Sequence, residues 1–477
     1  MLPNDVLVEI FDWYLGEDQD DLNVDAWYPL VHVCRSWRNI IFGSSHRLNL
    51  RLLYTAKPGN RACGMLRIWP AFPIIIQVNG VRQWSLINVL AAFEHKDRIR
   101  KIQLMNIPDM ALRTILLAMQ EPFPALTDLA LMSSIEETGL IIPDSLFGGF
   151  APRLRSFTLY SIPFRGLQQL VSSSVRNLVE LSLLKIPRRG YIQIMSIVNP
   201  LSMLTKLESL SMEFSLEPRR ERHRRYRPPP TRSVLPSLKF CSFQGICGYL
   251  EDFVIMIDTP RLEILDVTLC QYHSHPFSSS RKYPPRFNRF LCRTEMFKTL
   301  NNASIHLWSD KLEITLSRKP WASNAKMTLK IMCKNKIRTL GRVCATHFLF
   351  FSKVESLGIS SQYHKWRSHL EASASAEDIL WARPLFHFTA VRSLYLSEEI
   401  VPSVACGLKL VLDSEGRIPP NLVLRSVENI STVRPLRSGS VKTTIDQFAA
   451  IRGLSAVDPS TIPFCWVANE WNTISNL

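Results

Sequence analysis

The sequence predicts an α/β protein: a short all-helical segment at its start, then an irregular solenoid of strand–helix repeats, with parallel strands on the concave face and helices outside. Three observations predict this. A Leu-x-x-Leu-x-Leu frame recurs at intervals of 24 to 31 residues. Apolar residues at helical spacing follow several of the frames. Two amphipathic helical patterns occupy the first 45 or so residues, ahead of the first clear frame.

The first helix is expected from Pro3, which suits an opening turn, with Asn4 and Asp5 at its positive end. Val6, Leu7, Ile10, Phe11 and Leu15 then recur at helical spacing, with Asp5, Glu9 and Asp12 largely between them. This stripe is expected to face a partner or a core. Gly16 to Asp25 is acidic, lacks an apolar period and reads as a loop. A second helical stretch carries Leu30, Val31, Val33, Cys34, Trp37, Ile40 and Ile41, interrupted by Arg35 and Arg38. A segment this small cannot cover so many large side chains by itself.

Behind it, the frames are Ile99, Ile102, Leu104; Leu126, Leu129, Leu131; Leu154, Phe157, Leu159; Leu178, Leu181, Leu183; Leu207, Leu210, Met212; Leu238, Cys241, Phe243; and Leu262, Leu265, Val267. Their central residues lie 27, 28, 24, 29, 31 and 24 positions apart. Fainter copies are expected around Leu50, Ile76, Ala303 and Leu329, and strong ones at Val354, Leu357, Ile359 and at Val391, Leu394, Leu396. Each frame reads as a short strand, followed by helical spacing such as Leu112, Ile115, Leu116, Met119 or Leu86, Leu90, Phe93. One such unit cannot bury its apolar face alone, so stacking is required. The sequences Asn106-Ile107-Pro108, Ser161-Ile162-Pro163 and Lys185-Ile186-Pro187 predict a turn that recurs in its own way. From about 270 to 340 the period weakens, and KLEITLS and AKMTLKIMC suit hairpin strands as well as repeat strands. Beyond 400 the repeat is expected to fade.

These residues carry two resemblances. The spacing and the LxxLxL frame resemble leucine-rich repeats, without the asparagine that normally ladders along the turn; those places hold Ile107, Ser134, Ile162, Ile186, Ser215, Ile246 and Cys270. LPNDVLVEIF, a spacer, and LVHVCRSWRNIIF resemble an F-box, with Leu2-Pro3, the Val6, Leu7, Ile10, Phe11 stripe and Val33-Cys34-Arg35-Ser36-Trp37-Arg38 in order. The acidic spacer is longer than in a compact F-box. The motif opens at residue 2, as it would if an upstream start were missing. SGSVKTTIDQFAAIRGLS and LFHFTAVRSLYLSEEIVP resemble segments of the expanded F-box families of mushroom-forming fungi. The resemblance implies an adaptor-binding F-box at 1–45, a leucine-rich-repeat-like solenoid at 46–400 with a basic loop at 217–232 and an irregular region at 270–340, and a cap or tail at 401–477. It further implies a non-catalytic substrate receptor of an SCF-type cullin ubiquitin ligase. Such a receptor meets a Skp-type adaptor through Leu2, Pro3, Leu7, Ile10, Phe11, Leu30, Val33, Cys34 and Trp37, and through that adaptor a cullin. Some of these residues are expected to be internal. A helical cap on a scaffold or transport adaptor independent of ubiquitin ligation is the alternative.

Along each strand the solvent-side row is small and polar: Gln103, Ala130, Thr158, Ser182, Ser211, Ser242 and Asp266. The next outward row begins apolar, with Met105, Met132, Tyr160 and Leu184. These four are the candidate contacts for a protein substrate, or for the chain's own loop or tail.

Composition adds limits. The chain has 477 residues, 46% of them hydrophobic, enough for sizeable cores. MLPNDVLVEIF has no cationic leader pattern, and no apolar run approaches the roughly 18 to 20 residues of a membrane span, so a cytoplasmic or nuclear protein is expected. Its ten cysteines are scattered, among them Cys34, Cys241, Cys333 and Cys344, and read as buried thiols of a reducing compartment. The net charge of +16 includes Arg219, Arg220, Arg222, Arg224, Arg225 and Arg227 ahead of Pro228, Pro229 and Pro230. That run fits a solvated loop, a nuclear-localisation or acidic-partner patch, or nucleic-acid contact, though Tyr226 is its one interleaved aromatic. Cys270, His273 and His275 lack an evident fourth metal ligand. Trp308, Trp321, Trp366 and Trp381 read as core or rim packing. Phosphate-loop, dinucleotide, zinc-protease and nucleophile-elbow motifs are missing, so neither catalysis nor a cofactor is expected.

Overall fold

The computed structural model describes residues 2–16, 26–57, 64, 66, 69–134, 140, 142–164, 167, 176–187, 194–215, 232–270, 285–319, 326–333, 335–345, 351–361, 381–397, 399–405, 424 and 426–432. It divides into two compact units, Met1–Pro218 and Arg219–Leu477.

The first unit begins with α1 (Asn4–Leu15), α2 (Tyr28–Val31) and α3 (Arg35–Gly43). Seven parallel strands follow: β1 (Leu52–Tyr54), β2 (Ile74–Asn79), β3 (Ile99–Ile107), β4 (Asp128–Ser133), β5 (Ser156–Tyr160), β6 (Glu180–Ile186) and β7 (Ser209–Phe214). They lie in sequence order because each frame repeats in register: Ile76 opposes Ile102, then Leu129, Phe157, Leu181 and Leu210. These side chains are buried, and the alternation along each strand sends the intervening residues to the other face. A second ladder joins the strand entrances, where the amides of Thr127, Arg155, Val179 and Glu208 donate to Arg100, Thr127, Arg155 and Val179. It satisfies backbone groups that the strands proper leave over.

Two helices of this unit test the helical reading. In α5 (Asp109–Ala118), Leu112, Ile115 and Leu116 are buried as their spacing predicts, and Met119 follows them inward. In α4 (Leu86–Ala92) the inward face is shifted: Asn88, Val89 and Ala92 are buried, and Phe93 follows them, while Leu86 and Leu90 are half-buried. Hydrogen bonds cause the shift. Ser85 N-caps the helix, its Oγ accepting from the Asn88 amide; the Asn88 side chain gives its Nδ2 to Lys57 O at 2.6 Å, and its main-chain carbonyl accepts from Tyr54 Oη at 2.8 Å. A further helix, α6 (Ile194–Met203), precedes β7.

The Ile-Pro turns recur as the sequence predicts. Asn106, Ser161 and Lys185 take positive φ of 55, 58 and 45°. That conformation costs any residue with a Cβ, asparagine least. Each returns the next isoleucine, Ile107, Ile162 or Ile186, to the core. In β3 and β6 the turn is a bulge, since one extra residue stands between paired positions on either side. The asparagine ladder is replaced by main chain: Ser134, Ser215 and Cys270 donate their amides to Ile107, Ile186 and Gly245.

The second unit has a short parallel ribbon, β8 (Ser233–Val234) with β10 (Ile257–Asp258), beside α7 (Cys247–Met256). Its sheet is ordered β9 (Phe240–Gly245), β11 (Ile264–Leu269), β14 (Met327–Met332), β13 (Lys311–Ser317), β12 (Asn302–Leu307), β15 (Ser356–Ser361), β16 (Ser393–Leu396), β17 (Asn429–Thr432). Both hairpin candidates therefore pair as hairpins: KLEITLS is β13, antiparallel to β12 and β14. The chain leaves β11 through α8 (Pro285–Arg293), enters at β12 and works back to β14. Glu251 and Asp252 of α7 hold that crossover. Glu251 accepts from the amides of Arg286 and Phe287 at the start of α8, and Asp252 takes Arg286 Nη1 at 2.6 Å. Burial raises the Glu251 pKa, and those bonds and the Arg286 charge oppose the rise. Then α9 (Lys336–Ala345) and α10 (Ala382–Leu385) flank β15 in sequence.

Two expectations need correction. The repeat does not fade at 400: β17 pairs in parallel with β16, Ile430 opposing Leu394, with Val427 in the core as the frame's first residue. Cys34 is exposed, whereas Cys241, Cys333 and Cys344 are buried as read. Trp308, half-buried under Lys311 Nζ at 4.6 Å from its ring centre, packs at the rim and Trp381 in the core, as read. Arg219 to Pro230, His273, His275, Trp321, Trp366 and SGSVKTTIDQFAAIRGLS lie outside the described residues. No described helix is long and apolar enough to cross a membrane, and the described residues contain no cluster that could hold a metal.

Candidate protein-binding surfaces

On α1 the single predicted stripe is two faces. Val8, Phe11 and Leu15 turn inward, and Phe11 meets Trp37 of α3 edge-on, ring centres 4.8 Å apart. Val6, Ile10 and Trp13, at intervals of four and three, share another face, with Tyr14 beside it and Leu2 ahead of the helix. That face is open: Ile10 is 44% and Trp13 85% exposed. Asp5, Glu9 and Asp12 border it, and Glu9 pairs with Arg47.

The remaining helices support and extend this surface. Cys34 N-caps α3, its Sγ accepting from the Trp37 amide at 3.4 Å. Arg38 Nε donates to Val31 O at 3.0 Å, tying α3 to the end of α2. Trp27 is the anchor. Buried, it packs edge-on against Tyr28, Phe42, Trp69 and Phe72 and donates Nε1 to Arg51 O at 2.8 Å, fastening the helices to the strand layer. An indole this large contributes several kcal/mol of burial when its N–H is also satisfied.

Of the nine residues the sequence singled out here, Leu2, Pro3, Ile10, Val33 and Cys34 are exposed, and Leu7 and Trp37 are half-buried. Phe11 and Leu30 are internal; they position the surface from beneath. Val6, though in the predicted stripe, Trp13, Tyr14 and Tyr28 belong to the exposed set and were not singled out. The missed signal was available: Trp13 stands three residues after Ile10 and seven after Val6.

A second surface lies on the strand face. Gln103, Ala130, Thr158, Ser182 and Ser211 oppose one another across β3 to β7, all half-buried, as the predicted polar row. In the outward row, Met132, Tyr160 and Leu184 are in register and half-buried, and Met105 is 39% exposed. The β6 bulge sets Lys185 Nζ 5.1 Å from the centre of the Tyr160 ring. Burial raises the Glu213 pKa, and Lys185 opposes the rise. The row is thus apolar at one end and charged at the other.

No family model matches the sequence, and no curated protein matches it. Among solved structures the chain is similar to the leucine-rich repeat-containing protein LegL7 from Legionella pneumophila, at 10% identity and a TM-score of 0.28, over 86% of this chain and 99% of that one. A likeness that weak carries no argument. The repeat architecture rests instead on the strand register.

Proposed function

We propose that the chain is the substrate-recognition subunit of an SCF-type cullin ubiquitin ligase. In this reading α1 to α3 bind a Skp-type adaptor, and through it a cullin, while the outward strand row holds the protein substrate. One observation carries it: the segment that resembles an F-box presents an apolar face, Leu2, Val6, Ile10 and Trp13, to solvent, and Val33, between α2 and α3, is 59% exposed. Single exposed apolar residues need no explanation, but a contiguous face on one helix marks a contact site. The chain does no chemistry in this reading. It raises the concentration of a bound substrate near the ubiquitin donor, and it acts in the cytoplasm or nucleus.

The test is capture of the full-length chain on purified Skp-type adaptor, comparing native protein with an Ile10→Asp, Trp13→Asp double variant. Both side chains are outside the core, so folding is retained. Truncating a central interface tryptophan costs about 2 kcal/mol or more, about thirtyfold in affinity, and a buried charge adds to that. Failure of the native chain to bind would sink the adaptor reading and leave a scaffold independent of ligation. For the substrate side, Tyr160→Asp with Leu184→Asp should abolish recovery of substrates that native protein captures while degradation is blocked. Unchanged recovery would remove the outward row from the interface.

A further inference from the structure

On the strand face of the first unit, β4, β5 and β6 carry three rows of side chains that run across the strands without a shift of register. Residues two apart on a strand share a face, so the three rows lie side by side. Ala130, Thr158 and Ser182 form the middle row. Met132, Tyr160 and Leu184 stand on one side of it, and Asp128, Ser156 and Glu180 on the other. The result is a shallow trough with a floor of small side chains, an apolar wall and an acidic wall. The two walls are four residues apart along each strand, about 13 Å at the rise of a strand, and one α-helix with its side chains is about 10 to 12 Å across. Half-buried Asp128 and exposed Glu180 accept from the hydroxyls of Thr127 and Ser156, and neither forms an ion pair among the described residues.

We infer that the trough takes one amphipathic helix of the bound protein, lying across the strands with its apolar side toward Tyr160 and a basic side toward Glu180. This rests on the outward row being the substrate surface, and it narrows what that surface accepts. Pitch separates a helix from an extended segment. Neighbouring strands are about 4.8 Å apart, so each wall repeats at that interval. Apolar residues alternately three and four apart on a helix repeat about every 5.3 Å; two strands on, the helix has advanced about 10.5 Å against about 9.6 Å, and the side chains still meet. An extended segment presents a side chain to one face about every 6.7 Å and is about 3.8 Å out of step by the same point. Charge fixes how the helix is rolled. Lys or Arg seven positions apart, about 10.5 Å along a helix, meet Asp128 and Glu180, which stand two strands apart at about 9.6 Å, and an acidic side there is repelled. Apolar anchors at three-and-four spacing are what a helix offers to a groove.

The experiment displays random peptides of about 16 residues, long enough to cross β3 to β7 as a helix. They are selected on the full-length protein after depletion on a Tyr160→Asp, Leu184→Asp variant with an unchanged unfolding midpoint. The enriched sequences should carry apolar residues at three-and-four spacing, with Lys or Arg seven apart on an adjoining side. The most enriched sequence, made as a synthetic peptide, should gain helical circular dichroism on binding. Its affinity, read by fluorescence anisotropy, should fall at least tenfold when proline replaces its central residue. Glu180→Lys should weaken it at least tenfold, and exchanging the facing lysine of the peptide for glutamate should restore most of that loss, which a misfolded variant could not do. Enrichment of alternating apolar residues, no loss with proline, or no rescue by the exchanged charge overturns the helix and leaves the outward row a contact surface. No enrichment that depends on Tyr160 and Leu184 overturns the row as an interface, and the helix with it. Adaptor capture is a separate measurement on α1 to α3, so neither result alters that reading.

Discussion

Replacing Gly80 with alanine isolates the bulge that shapes the outward row. Gly80 follows β2 and gives its amide to Met105 O at 2.8 Å, directly against the positive-φ turn at Asn106. A Cβ built there would stand 2.0 Å from Asn106 O and 2.8 Å from Asn106 C. Ordinary contact begins near 3.4 Å, so main chain would have to retreat by about 1.4 Å, and no side chain can swing aside to absorb it. Overpacking of this kind costs about 3 kcal/mol, the upper end of its usual range. The stiffer unfolded chain returns about 0.4 to 1 kcal/mol, leaving a net loss near 2 kcal/mol. In a unit of this size that lowers the unfolding midpoint by about 4 to 8 °C. Gly43→Ala is the matched control, because Gly43 ends α3 with nothing within 4 Å of a new Cβ and should gain a few tenths of a kcal/mol. Thermal unfolding followed by circular dichroism reads both. If the two variants shift the midpoint by the same amount and sign, the steric reasoning at the bulge is wrong.

Phe11→Ala should cost about 3 to 5 kcal/mol by emptying the α1–α3 contact, whereas Trp13→Ala should stay within about 0.5 kcal/mol; urea titrations of the two variants check the division of α1 into faces. His306 gives an acid response. Its Nδ1 meets Ser360 Oγ, and burial lowers its pKa below 6.5, with Glu313 opposing and Lys311 reinforcing the shift. A depressed histidine contributes stability that is present above 6.5 and lost as pH falls from there through the folded value, so His306→Gln should flatten the stability curve in that window. Alkylation under native conditions, read by mass spectrometry, should modify exposed Cys34 first. Cys241, pushed up to about 12 by burial, should react only on unfolding.

Much of this molecule is written as spacing. The central and last residues of the frames from Ile102 to Leu265 lie on strands with their side chains buried, and the faint copies at Ile76, Ala303 and Leu329 lie on β2, β12 and β14. Period and burial have one cause there: a strand alternates its faces, and one face has no water. The Ile-Pro repeat likewise announced its turn, because a fixed proline φ after an isoleucine leaves few ways to return to the core.

What spacing could not decide was which of two apolar faces finds a partner inside the chain. Val6, Ile10 and Trp13 and, opposite them, Val8, Phe11 and Leu15 are equally good helix faces; only the second is buried, with Phe11 against Trp37 of α3. Nor could it place β12 beyond β13 and β14, since strand order depends on where α8 docks against Glu251 and Asp252. Local periodicity is a property of a few consecutive residues, legible wherever it occurs; exposure and convergence belong to pairs of segments, and only their packing sets them.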